Sequence, residues 1–405
     1  MKSIRTALAF SLAFSALPAL AQDAPAAADP VATLVGQLDL QRYKATIKAL
    51  TRFGDRRQGT ERNRKALDWI EAQLTSYGCA TERMRYEYKA VARVRAADTG
   101  GGRAGPSGQG GSTLFGTRGP IGVNNDPLRQ PDAALRALNA EVPDPQGGPR
   151  EQVFCTKVGK SRPDEMYIVA AHMDGMGYGE AANDDASGTA LVMELARILN
   201  APGVSTGRTI RFALWNNEET GLNGANAYVE QRKDLQGIEA PKGSGRYPEP
   251  RWLGMVQHDM MMFDHGMPVA GTDAAGKPVI TPPPQQRREA DVNIEFQASA
   301  KQAEGAQKLA WQFRAANEKY ASHYPAAVGQ HMTNTDSTPF MDLVPAISLR
   351  ENERGMQIGA GWNPHWHQPT DLFANYADAD FLLGLNAAQT TLAAVARLAG
   401  AAVAK

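Results

Sequence analysis

The feature that most constrains this chain is an alternation. Short apolar runs of strand type (Met166 to Ala171, Thr209 to Trp215, Trp252 to Gln257 and Val344 to Leu349) are separated by longer segments in which apolar residues recur at helical spacing. Ser187 to Leu199 carries Leu191, Leu195, Ile198 and Leu199 on one side, and Asn63 to Tyr77 carries Leu67, Ile70 and Leu74 on one face before Gly78. Further helices are expected at about Thr220 to Arg232, Lys301 to Lys319 and Ala377 to Ala399. Uninterrupted apolar runs suit strands buried on both faces. The pattern therefore predicts an α/β fold, a three-layer α/β/α sandwich around a mostly parallel, mixed central sheet. Open sheets of this kind bind ligands just beyond the carboxyl ends of their strands.

The flanking sequence sets the boundaries. Met1 to Arg5, the apolar stretch Ala7 to Leu17 and the small-x-small site Ala19-Leu20-Ala21 have the layout of an export signal, so residues 1–21 are expected to be removed. Residues 22–30, rich in Ala, Pro and Asp, read as a disordered leader, and 31–405 as a single domain. The apolar stretch is too short to span a bilayer, which takes roughly 18 to 20 residues, and no later run approaches that length. No membrane partner is expected once the signal is gone, and no Cys follows the cleavage site to carry a lipid. The location should be periplasmic or secreted. At about 96–150, clusters such as Gly100-Gly101-Gly102 and Pro145-Gln146-Gly147-Gly148 mark a Gly/Pro-rich insertion with little regular structure.

Charge removes one class of partner: Lys+Arg and Asp+Glu both number 43, so there is no basic field of the kind a nucleic acid requires. The two cysteines, Cys79 and Cys155, lie beside or within strand-like segments, Thr81 to Tyr88 and Gln152 to Val158. If those strands are neighbours an exported chain can bridge them; otherwise they remain buried thiols.

The chemistry collects where the apolar runs end. Met166 to Ala171 runs into His172-Met173-Asp174, Thr209 to Trp215 into Asn216-Asn217-Glu218-Glu219, and Trp252 to Gln257 into His258-Asp259. Loops add Asn183-Asp184-Asp185-Ala186-Ser187-Gly188 and His365-Trp366-His367-Gln368-Pro369-Thr370-Asp371. Each piece alone has an ordinary explanation: a His-x-Asp surface pair, or an Asp capping a helix. Together, at consecutive strand ends, they offer imidazole nitrogen and carboxylate oxygen, the donors that zinc accepts. Two histidines and three carboxylates, one bridging, suit two ions with room for a hydroxide between them, and a neighbouring carboxylate can then move its proton. Gly175-Met176-Gly177-Tyr178-Gly179 lacks the spacing of a nucleotide loop, and Ser187 is not in a Gly-x-Ser-x-Gly elbow.

The ordered motifs His-x-Asp, Asn-Asp-Asp-Ala-Ser-Gly, Glu-Glu-x-Gly-Leu-x-Gly-Ala, an Asp after the next strand and a late His-x-x-x-Asp resemble the co-catalytic, two-zinc metallo-aminopeptidases, the superfamily of bacterial leucine aminopeptidases, glutamate carboxypeptidase and the transferrin-receptor ectodomain. The likeness runs from about Arg52 to Tyr376 apart from the insertions. It implies that His172, Asp184, Glu219, Asp259 and His367 bind two zinc ions with Asp184 bridging, that Glu218 is the general base and that Asp174 orients His172. The function implied is an exopeptidase, an aminopeptidase acting on a peptide or dipeptide. Alternatives on the same fold are a zinc carboxypeptidase, a glutaminyl cyclase with one zinc, or a non-catalytic receptor-like module. Arg56, Gly59 and Thr60 look like an early segment of the family. Ser337, in Thr335-Asp336-Ser337-Thr338-Pro339-Phe340, stands where the family usually has His. Only the four-residue spacing to Asp371 favours His367 over His365, and strand alternation should turn only one of His258 and Asp259 toward the site.

Overall fold

The computed structural model describes residues 29–90, 123–263, 269–272, 274–281, 292–330, 332, 335–351 and 363–404. The expected signal, nearly all of the leader, and residues 96–122 of the insertion lie outside the described residues. The strands are β1 (Ala80–Tyr88), β2 (Gly148–Lys157), β3 (Arg162–His172), β4 (Val204–Ser205), β5 (Arg208–Trp215), β6 (Arg251–His258), β7 (Val269–Thr272), β8 (Pro278–Thr281), β9 (Val292–Phe296), β10 (Ala326–Gly329), β11 (Ala346–Arg350) and β12 (Ala402–Val403). The α-helices are α1 (Pro30–Val35), α2 (Leu40–Thr51), α3 (Glu61–Ser76), α4 (Ala133–Leu138), α5 (Ala186–Leu199), α6 (Asn223–Arg232), α7 (Ala303–Tyr320) and α8 (Asp378–Ala399).

Eight strands form one sheet in the order β1-β2-β5-β3-β6-β11-β9-β10. Its centre, β5, β3, β6 and β11, is parallel. Antiparallel pairings at β1–β2, β2–β5 and β9–β11 make the whole sheet mixed. The chain leaves β3 through α5 to reach β5 on one side, then returns through α6 to β6 on the other. Right-handed crossovers in opposite directions place their helices on opposite faces, so the fold is layered and its chain direction switches at β3.

Burial follows this arrangement. Val169 and Ala171 of β3 join a large core with α5 and α8, whereas Met166, Ile168 and Ala170 face a smaller one with Tyr228 of α6, Trp252 and Phe340. By length and composition α8 is apolar enough to cross a membrane, which the sequence reading did not anticipate. Its side chains from Leu383 to Ala396 are largely buried against the sheet and α5, the setting of a core helix.

Cys79 and Cys155 form a disulfide with their Cα atoms 5.6 Å apart. The strands are neighbours, with Thr81 opposite Cys155 in the β1–β2 register. Residues 123–147 hold more regular structure than their Gly/Pro content suggests: a 3-10 turn at Pro127–Arg129 and α4, each capped by an aspartate, Asp126 and Asp132.

Candidate metal centre

The parallel register carries two of the candidate ligands to one level. Ala171 pairs with His258, so the next residues, His172 and Asp259, emerge side by side at the carboxyl end of the sheet. Glu218 and Glu219 follow β5, Asp184 precedes α5, and His367 comes from the loop before α8. His172, Glu218 and Asp259 form one group, and Asp184, Glu219 and His367 a second, with donor atoms within 4.8 Å of one another in each. Asp184 spans the two: Oδ1 is 3.3 Å from His172 Nε2 and Oδ2 is 3.0 Å from His367 Nε2. Glu219 Oε2 lies 2.7 Å from His367 Nε2, and Asp259 Oδ1 lies 3.8 Å from His172 Nε2.

Neighbouring groups explain why these side chains hold their places. His172 Nδ1 is 3.0 Å from the main-chain oxygen of Asp174, whose carboxylate is 3.7 Å away and accepts from the Glu218 main-chain N–H at 3.1 Å. Asp174 thus ties His172 to Glu218. Asp185 caps α5 through Gly188 and also accepts from the main-chain N–H groups of His172 and Met260, joining three segments of the site. Gly188 is required there, since a Cβ would come within 2.7 Å of both Asp185 carboxylate oxygens and the His258 carbonyl. Asp371 accepts from the Asn183 and Asp184 main-chain N–H groups and from the Tyr376 hydroxyl, which fixes the backbone that presents Asp184.

Arg56, to which no chemistry was assigned, is fully buried and donates to the carbonyls of Met173, Glu180 and Ala181. It clamps the loop after β3. Gly177, at φ +96°, lets that loop abut His367, where a Cβ would lie 2.4 Å from the His367 carbonyl carbon. Asn124 donates from its main chain to the His367 carbonyl, and Gln130 Nε2 donates to Tyr178 and Pro369 carbonyls. Part of the expected insertion therefore fastens the loop that carries His367. The Trp366 ring stacks on the His367 ring at 4.0 Å between centroids.

The two ambiguous pairs separate cleanly. His365 places Nδ1 3.0 Å from Thr370 Oγ1 and packs edge-on to Phe263 and Tyr376, while His367 meets the acids. His258 turns the other way: its Nδ1 lies 2.9 Å from the Ala170 carbonyl and its Nε2 2.8 Å from Thr391 Oγ1. Burial pushes its pKa down to about 4. Asp336, which sequence reasoning did not single out for a role, is fully buried, both its carboxylate oxygens lack a hydrogen-bond partner, and burial raises its pKa well above the usual range. Ser337 Oγ is likewise buried without one.

The electrostatics describe a site rich in acids. Burial pushes Glu219 up to about 7 against the opposing influence of His367, and raises Glu218 well above the carboxylate range, with His172 opposing and Asp259 reinforcing. Burial works against charge on His367, yet Glu219 and Asp184 hold it at about 10. His172 is raised well above its ordinary value because Asp185 and Glu218 outweigh burial. Asp184 is held below the carboxylate range, because the two histidines outweigh the burial that would raise it. His172 Nε2 and Glu219 Oε1 are buried without a hydrogen-bond partner. An orphaned nitrogen and an orphaned oxygen, one in each ligand group and both among buried carboxylates, fit divalent cations bound through mixed N/O sets.

Comparison with known proteins shows the family. The model of Peptidase family M28 matches residues 153–392, more than half of the chain, and the chain belongs to that family. A probable lipoprotein aminopeptidase, LpqL, of Mycobacterium tuberculosis is 35% identical over 132 residues, covering 32% of this chain and 25% of that protein. Carboxypeptidase Q of Xenopus laevis is 34% identical over 83 residues, 20% of this chain and 18% of that protein. These matches thus span a quarter or less of either relative. Among solved structures, an aminopeptidase from Aneurinibacillus sp. strain AM-1 superposes with a TM-score of 0.56 at 18% identity, over 91% of this chain and 95% of that one. That likeness shows the shared fold.

Proposed function

We propose that this chain is an exported exopeptidase that binds two zinc ions and removes residues from the amino terminus of peptides or dipeptides. The observation that carries the reading is Asp184, whose two oxygens face two different imidazoles and so divide the site into two ligand sets sharing one carboxylate. His172 and Asp259 would hold one ion and His367 and Glu219 the other, with Asp184 between them. Bound there, the ions supply Lewis acidity, polarising the scissile carbonyl and making a water nucleophilic near neutral pH.

The remaining steps belong to the protein. Glu218 is grouped with His172 and Asp259 yet left over from that assignment; it accepts the proton of the attacking water and returns it to the leaving amine. Asp174, bound to the Glu218 main chain, keeps that base beside His172. The acid-rich surroundings favour a substrate bearing a free ammonium. A carboxypeptidase needs a cation for the terminal carboxylate, and among the described residues the buried guanidiniums Arg56 and Arg350 are engaged, with main-chain carbonyls and with Asp259 and Glu295 respectively. Two ligand sets also argue against a one-zinc cyclase, and retention of every ligand together with the base argues against a receptor-like module. The Cys79–Cys155 disulfide supports an oxidising compartment.

Purified protein offered a panel of aminoacyl anilides, their N-acetylated counterparts and N-blocked dipeptides, each with and without chelator, tests the reading. Chelator-sensitive release from the free-amine anilides is expected. Turnover confined to the N-blocked dipeptides would reverse the direction of cleavage.

A further inference from the structure

We propose that Arg350 is a positioning residue for the metal site, holding Asp259 so that one carboxylate oxygen is kept for the ion shared with His172. The inference rests on the reading of Asp259 as a ligand. It begins in the sheet. Across β3, β6 and β11 the parallel register pairs Ala171 with His258 and His258 with Leu349, so the residues one step further, His172, Asp259 and Arg350, stand in a row at the carboxyl end. The antiparallel neighbour β9 sets Ser348 opposite Glu295, which brings that acid diagonally to the other side of Arg350. Four adjacent strands thus present imidazole, carboxylate, guanidinium and carboxylate in order.

Distances divide the labour within Asp259. Its Oδ2 is 3.2 Å from an Arg350 terminal nitrogen, while its Oδ1 is the oxygen 3.8 Å from His172 Nε2. Arg350 Nε lies 3.5 Å from Glu295 Oε2, and Arg350, Asp259 and Glu295 are no more than 2% exposed. A buried guanidinium between two carboxylates has little freedom to move. Paired with Asp259 and facing Glu295 across 3.5 Å, it restricts rotation of the Asp259 carboxylate and partly neutralises its charge. The second ligand set comes from elsewhere, Glu219 from the end of β5 and His367 from the loop before α8, so Arg350 acts on the first ion through Asp259.

The experiment is a zinc titration of the full chain against a competing chromophoric chelator, with folding followed in parallel by circular dichroism. In Arg350→Met one of the two ions should bind 10- to 100-fold more weakly, as is typical when a group supporting a metal ligand is lost, while the other keeps the parent affinity. Arg350→Lys, which keeps the charge without the planar fork, should fall between the two. Should Arg350→Met fail to fold because two buried acids are left unpaired, the double variant Arg350→Met with Glu295→Leu removes one of them and should show the same one-ion defect. Parent affinity at both ions in these variants would overturn the proposal, as would equal weakening of both. A parent chain that binds no zinc would instead overturn the two-zinc reading beneath it.

Discussion

Asp184 and Asp185 are adjacent in the chain and do different things. The first turns both oxygens to histidines; the second caps α5 and gathers main-chain N–H groups from β3, α5 and the turn after β6. The residue pattern admitted both a helix cap and a ligand in Asn-Asp-Asp-Ala-Ser-Gly; the structure makes Asp185 the cap and leaves Asp184 facing the two imidazoles. Glu218 and Glu219 are split in the same way, because successive residues in a turn point in different directions. Glu218→Gln should therefore leave zinc content unchanged and lower kcat on the order of 10²- to 10⁴-fold, since the change removes proton transfer and spares the assigned ligands. Metal analysis beside steady-state kinetics checks it; near-parent turnover would exclude Glu218 as base. The supporting residues were harder to read. Arg56 and Asp371 act through main-chain groups more than 100 positions away, and no local spacing reveals such partners.

Among elements, β3 and its neighbours matter most, because the strand order decides which chain ends meet. Helices α3 and α5 to α8, and strands β1, β2, β3, β5, β6 and β11, were legible in their apolar periodicity to within a few residues, since burial on one face or two leaves that imprint directly; α1, α2, α4 and the sheet strands β9 and β10 were not read from the sequence. Pairing was not. That β1 and β2 are neighbours, and hence that Cys79 meets Cys155, depended on the sheet order. Replacing both cysteines with Ser should lower stability by about 2–4 kcal/mol, because the bridge closes a loop with a sequence separation of 76. Denaturant unfolding of the double variant measures it, and an unchanged midpoint would count against a stabilising bridge.

The start of α8 offers a test of charge burial. Asp380 accepts from the Ala377 main-chain N–H at 2.7 Å, and burial, only partly offset by that bond, raises its pKa to about 6. The folded chain thus holds a proton that the unfolded chain releases near pH 4. The stability this contributes is present below pH 4 and is lost as pH rises through about 6. Asp380→Asn keeps an acceptor and avoids the buried charge. It should exceed the parent by about 1 kcal/mol at pH 7, after discounting for partial exposure and the helix dipole, and match it below pH 4. A melting series across that range decides it.

At the scale of the molecule, segments distant in the chain converge on one end of the sheet, so bound metal should stabilise the whole fold. Chelator is expected to lower Tm and added zinc to restore it. An ion present at 100 times its Kd contributes about 2.7 kcal/mol. A Tm insensitive to chelator would mean that the acids assemble without needing a cation.

What the sequence determined alone was the central strands, the helices beside them and the residue types at their ends, because periodicity and residue types are local properties written in order along the chain. Tertiary structure decided which members of each motif meet. It set His367 rather than His365 among the acids, turned His258 into the core and Asp259 toward His172, and tied Asn124 and Gln130 to the loop that carries His367. For His258 and Asp259 the reason is that a one-residue step in a strand reverses the face a side chain occupies; for His367 it is the tertiary contacts of its loop, and only the packed sheet, with its crossovers on both sides of β3, brings those faces and that loop to one site.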